Sequence, residues 1–170
     1  MEGIKEELQS LLDRQRELDG HIAEKQNFDM SEVFDRKLLA FVTEVAEMLN
    51  EHKGIKYWKV DRTPSDRVLE EYVDGLHFIL SIGNDINFDE FYYVQVPADV
   101  DWVDVTLTVI DSIGGIRQTI RAQQSPVMMY GRMLAHYLRL GELFGFSTAQ
   151  VLEAYADKNA INYECQRVGY

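Results

Sequence analysis

Two acidic pairs stand out when the chain is read for chemistry: Glu44 with Glu47, and Glu71 with Asp74. Each pair is three residues apart, so on an α-helix each puts two carboxylates on one face. Glu51, seven residues beyond Glu44, extends the first face, opposite Leu38, Val42, Val45 and Leu49. For that segment alone, a solvated face of an amphipathic helix explains the pattern equally well. The second pair lies among Leu69, Tyr72, Val73, Leu76, Phe78, Ile79, Leu80 and Ile82, which cover nearly the whole circumference. A helix that apolar is buried, and a carboxylate buried without a partner is costly. No Lys or Arg occurs between Arg67 and Arg117, so the expected partner is a cation from elsewhere in the fold or a metal. Four carboxylates on two facing helices form a cage of hard oxygen ligands suited to Mg²⁺ or Mn²⁺. Such a site polarises phosphates and activates water.

The elements that must position these residues are helical. Ile4, Leu8, Leu11, Leu12, Leu18 and Ile22 predict an amphipathic helix over 4–25, with a break near Gly20. A helix over 31–52 is expected next, with Ser31 as its N-cap and the HKG sequence closing it. After a loop from Gly54 to Ser65, Pro64 leads into a helix over 66–82. The acidic, aromatic stretch 84–103 predicts an irregular insertion, with YYVQV alternating as a short strand would. VDVTLTVI is β-branched, yet the chain offers it no partner strands, so a helix over 104–121 is expected. Helices over 127–143 and 148–160, the latter capped by Ser147, complete an all-α bundle in a single domain, 1–170.

The composition narrows the function. The chain has 170 residues, a net charge of −12 and one cysteine, Cys165, which excludes an internal disulfide and a cysteine-rich zinc site. The acidic balance argues against a sequence-independent nucleic-acid binder, and no apolar run is long enough to span a bilayer. A charged N-terminus without a signal peptide leads to the expectation of a cytoplasmic protein with no membrane partner.

The E-x-x-E … E-x-x-D pattern resembles the metal signature of the all-α nucleotide pyrophosphatases, which include MazG-type enzymes and dimeric dUTPases. Three segments resemble the dimeric dUTPases in particular: QRELDGHI (15–22), the run from TEVAE at Thr43 through GIKYWK to EEYVDGLHFILSIG, and the C-terminal AYADKNAINYECQRVGY. They cover about half of the chain in the family's order, while 84–146 is similar only as a variable helical region. The resemblance implies a homodimer that hydrolyses dUTP to dUMP and pyrophosphate through a Mg²⁺-activated water, with dUDP as a further substrate. It implies that Glu44, Glu47, Glu71 and Asp74 bind the metal, with Glu47 and Glu44 catalytic and Glu47 the first choice to deprotonate the water. It gives Gln15 and Trp58 to the uracil pocket, and His77 and Phe78 to the deoxyribose. Lys56, Lys158, Asn159, Asn162, Arg167 and Tyr170 are expected at the phosphates, with 159–170 closing over them. Where the family places an arginine before the last motif's glutamine, this chain has Cys165, and Arg167 follows Gln166. Two alternatives stay open. One is a pyrophosphatase for another nucleotide, such as dCTP or a modified base; the other is a helical regulatory or binding protein without the chemistry.

Overall fold

The computed structural model describes residues 2–88 and 94–169. Among these, six α-helices and one short 3₁₀ turn make up the regular structure, and no strand occurs. The helices are α1 (Glu2–Gln26), α2 (Phe34–His52), α3 (Val68–Asp85), α4 (Trp102–Arg121), α5 (Val127–Leu143) and α6 (Thr148–Val168). No described helix is long and apolar enough to cross a membrane.

α3 is the hub. It packs against α2, α1, α6 and α5, while α4 and α5 form a hairpin on its far side. Burial follows from its sequence: Tyr72, Leu76, Ile79, Leu80 and Ile82 are fully enclosed. Two glycines let α5 approach closely. A Cβ on Gly75 would lie 2.1 Å from the Tyr137 hydroxyl, and one on Gly83 would lie 2.3 Å from that of Tyr130. The hydroxyls use this space to donate to backbone carbonyls of α3, Tyr137 to Tyr72 at 2.8 Å and Tyr130 to Ile79 at 3.0 Å. Buried tyrosine hydroxyls thus find acceptors, and the Tyr72 and Tyr137 rings stack at 4.8 Å.

Several boundaries differ from those expected. α1 runs through Gly20 without a break, because the enclosed residues Leu11, Leu12 and Leu18 outweigh a glycine cost of about 1 kcal/mol. α2 begins at Phe34 behind a 3₁₀ turn, Met30–Val33, so Val33 rather than Ser31 is its N-cap. Its end is as read: Lys53 adopts the left-handed conformation and its N–H closes onto the Leu49 carbonyl. α3 is shifted to 68–85 because Asn84 and Asp85 have long-range partners, Asn84 Nδ2 on the Leu12 carbonyl and Asp85 on Lys37.

The β-branched run 104–121 is helical, starting at Trp102. Asp101 caps it by accepting from the N–H groups of Val103 and Asp104, and Val105, Val109 and Ile116 supply its buried stripe. Residues 94–96 of YYVQV form no strand, and 92–93 lie outside the described residues. α5 has the expected limits. α6 starts at the Ser147–Gln150 capping box and continues eight residues past 160. Its C-terminal half lies along α1, with His21 against Tyr163 at 5.2 Å and Gln26 Nε2 donating to Gln166.

Candidate functional site

α2 and α3 pack with their acidic faces towards each other. One carboxylate oxygen from each of Glu44, Glu47 and Glu71 lies within 4.8 Å of the others. Glu71 is 3% exposed. Its carboxylate accepts from the Arg67 guanidinium, one turn earlier at the start of α3. Asp74 stands beside these three and accepts from Lys158 Nζ of α6 at 2.7 Å. The buried Glu71 and the half-buried Asp74 of α3 therefore have cation partners within the protein, one local and one from a distant helix.

Neither cation pairs with Glu44. Burial, followed by the charges of Asp74, Glu47 and Glu71, pushes its carboxyl up to about 7, against a smaller opposing pull from Lys158. Burial also raises Glu71 and Asp74, and Arg67 and Lys158 respectively oppose the rise. Three converging carboxylates with like-charge repulsion fit a hard divalent cation, and the donor set is all oxygen. The residues present suit Mg²⁺ or Mn²⁺ and lack the histidine and cysteine ligands zinc prefers.

Glu44 and Asp74 form one end of a cavity of about 500 Å³ enclosed by α1, α2, α3 and α6. Gln15, His77, Phe78, Lys158 and Asn162, expected at the nucleotide from different parts of the chain, all line it. Lys158, Asn162 and Gln166 reach it from one face of α6, at four-residue spacing. His77 stacks on Tyr155 at 4.2 Å, and its Nδ1 lies 2.8 Å from Gln15 Oε1. Burial holds its pKa down to about 4, so the ring is neutral near pH 7. Gln15 Oε1 can only accept, which makes Nδ1 the protonated nitrogen.

Other expected residues lie elsewhere. Trp58 is 65% exposed on the loop after α2 and does not line the cavity. Lys56 donates to the Asn50 carbonyl at 2.9 Å and so helps to close α2. Arg167 is exposed and paired with Glu164. Asn159 is outside the cavity lining, and Tyr170 lies outside the described residues. Glu51 turns away from the other acids, accepting from the Ser65 hydroxyl.

The cavity also holds polar residues that the motif search passed over. Asp19, Ser81 and Lys37 line its other end, with Asp85 behind Lys37. Asp19 is 9% exposed, Ser81 3% and Lys37 7%. The signal was in the spacing. Lys37 precedes Glu44 by seven residues, Ser81 follows Asp74 by seven, and Asp19 follows Gln15 by four. Each pair therefore shares a helix face.

A family model described as dUTPase matches residues 7–170, nearly the whole chain. A search of curated proteins finds no match. The extent of the family match establishes that the chain belongs to this dUTPase family.

Proposed function

With membership of that family as the premise, we propose that the protein hydrolyses dUTP to dUMP and pyrophosphate, and takes dUDP at the same site. The observation that carries this reading is the convergence of Glu44, Glu47 and Glu71 at one end of a nucleotide-sized cavity. Glu44, Glu47 and Glu71 would hold Mg²⁺ (or Mn²⁺), with Asp74 joining them as Lys158 releases it. A bound cation supplies charge neutralisation and polarisation at the α-phosphate. Glu47 orients the attacking water and accepts its proton. The water oxygen bonds to the α-phosphorus while the bond to the bridging oxygen breaks, and pyrophosphate leaves. Glu44 assists at the same centre.

The remaining residues bind and orient. Lys158 and Asn162 face the phosphates from α6. Lys56, Asn159, Arg167 and Tyr170 approach from the loop after α2 and the C-terminal segment, and residues 159–170 close over the bound substrate. Phe78 lies against the deoxyribose and excludes a 2′-hydroxyl, with His77 on the same sugar. Gln15 reads the base, and Trp58 covers it on closure. The family resemblance extends the reading to a homodimer.

Pyrophosphate release from dUTP, dCTP, dTTP and dATP, each with and without Mg²⁺, tests the proposal. Release is expected from dUTP with the metal and only weakly from the others. Equal turnover of all four, or turnover of dUTP that ignores the metal, overturns it.

A further inference from the structure

The cavity has a measurable length. Glu44 and Lys37 are seven residues apart on α2, as are Asp74 and Ser81 on α3, and seven residues span about 10.5 Å of helix. Both walls therefore place a polar residue two turns from the carboxylates, and Asp19 of α1 meets them there. A nucleotide with its α-phosphate at the carboxylates puts the far edge of its base at this cluster.

The hydrogen bonds of the cluster fix what it can offer a ligand. Asp19 Oδ1 accepts from Gln15 Nε2 at 2.8 Å, and Oδ2 accepts from Ser81 Oγ at 2.6 Å. Each carboxylate oxygen keeps a lone pair. Gln15 cannot turn its amide over, because that would set its oxygen against Asp19. Its Oε1 is also engaged by His77 Nδ1 and by the Tyr155 hydroxyl at 3.1 Å, which leaves one N–H on Nε2. Lys37 Nζ donates to both oxygens of Asp85, at 2.8 and 2.7 Å, and lies 4.0 Å from Asp19. It keeps one N–H. Burial raises the Asp19 carboxyl, with the Asp85 charge adding to the rise, and Ser81, Gln15 and Lys37 oppose it.

We propose that Gln15 Nε2, the Asp19 carboxylate and Lys37 Nζ form a donor–acceptor–donor reader for the imide edge of a pyrimidine. Uracil presents the complement: O2 accepts, N3–H donates and O4 accepts. Cytosine presents a lone pair at N3 to Asp19 and an amino group to Lys37, and so mismatches at two of three positions. Asp19 and Lys37 thereby become specificity-determining residues for the hydrolysis proposed above, on which this inference rests. Thymine shares the imide edge, so this cluster rejects cytosine but not thymine.

The test uses the wild-type protein with Mg²⁺ and compares dUTP, dTTP, dCTP and the N3-methyl derivatives of the first two. dTTP against dUTP shows which imide the cavity accepts. For whichever is hydrolysed, N3-methylation should lower kcat/KM by at least about 100-fold, as expected when a buried acceptor loses its donor. The same methyl group should remove the thermal shift produced by dUMP. Asp19→Asn, checked for an intact thermal transition, should narrow the dUTP-to-dCTP ratio at least about 10-fold, which separates lost recognition from simple crowding by the methyl group. Undiminished turnover of the N3-methyl substrate overturns the inference, as does a folded Asp19→Asn protein with an unchanged ratio. In those cases a preference for dUTP leaves the proposed activity standing. Hydrolysis confined to nucleotides without an imide removes both.

Discussion

At one end of the cavity Asp19 and Asp85 share Lys37, and Gln15, Ser81, His77 and Tyr155 complete the hydrogen bonds around them. At the other end, among the described residues, Glu44, Glu47, Glu71 and Asp74 face Arg67 and Lys158 as their cations. Both ends bury charge, but they do so in opposite ways. The first is the nearer to balance, with one excess negative charge and its acids hydrogen-bonded within the protein, which fixes donor and acceptor directions. The second keeps two excess negative charges, which add to burial in raising Glu44. A balanced cluster can recognise shape and hydrogen-bond pattern. An unbalanced one is suited to attract a cation.

Substitutions at each end should therefore fail differently. Glu47→Gln is expected to have the largest effect, a loss of about 1,000-fold in dUTP hydrolysis with an unchanged urea midpoint. Activity within tenfold of wild type would remove Glu47 from proton transfer. Lys37→Met should act mainly on stability, because it strands the buried Asp19 and the half-buried Asp85. A loss of about 3 kcal/mol in urea unfolding is expected, and an unchanged midpoint would show that the balanced end does not depend on its lysine.

Glu44→Gln in metal-free protein should go the other way. Because the native carboxyl titrates near 7 and its ordinary value is 4.5, the native state binds the proton more tightly than the unfolded chain. Wild-type stability then falls as pH rises from 4.5 through 7. The variant should be more stable by about 1 kcal/mol at pH 8, after allowance for partial exposure, with the gain lost as the pH falls below 4.5. Thermal melts across that range would show it, and a pH-independent difference would contradict it. Smallest is Trp58→Ala, expected to shift stability by less than about 0.5 kcal/mol. A larger loss would mean that the exposed indole is part of the core.

How legible each end was follows from the same contrast. The acids of α2 and α3 announced themselves because like charges repeat at helical spacing, and the apolar circumference of α3 gave away its burial. What spacing could not show was that Arg67 and Lys158 answer two of those acids, since the second contact joins residues 84 positions apart. The balanced end was harder. Ser81 sits singly between Leu80 and Ile82, whereas Asp19 and Lys37 sit among other charged residues, and each reads as ordinary until three helices bring them together. Helix identity was clear where a cap announced the start, as at Ser147 of α6. It was less clear in α4, where β-branched propensity pointed to strand and the Asp101 cap went unremarked. The second half of α6 looked like a tail because it has no apolar stripe of its own; its polar side chains are ordered against α1 and the cavity.

The paired notches at Gly75 and Gly83 set the register of the site from behind. Each tyrosine hydroxyl of α5 acts as a peg that fits one position along α3. Sliding α3 by a turn would leave both pegs without a hole and without an acceptor. The level at which α3 presents Asp74 and Ser81 to the neighbouring helices is thus keyed by the scaffold, and ligands meet a frame already locked. Widening the substrate range by altering the cavity wall would leave that level untouched; shifting it would require cutting new notches.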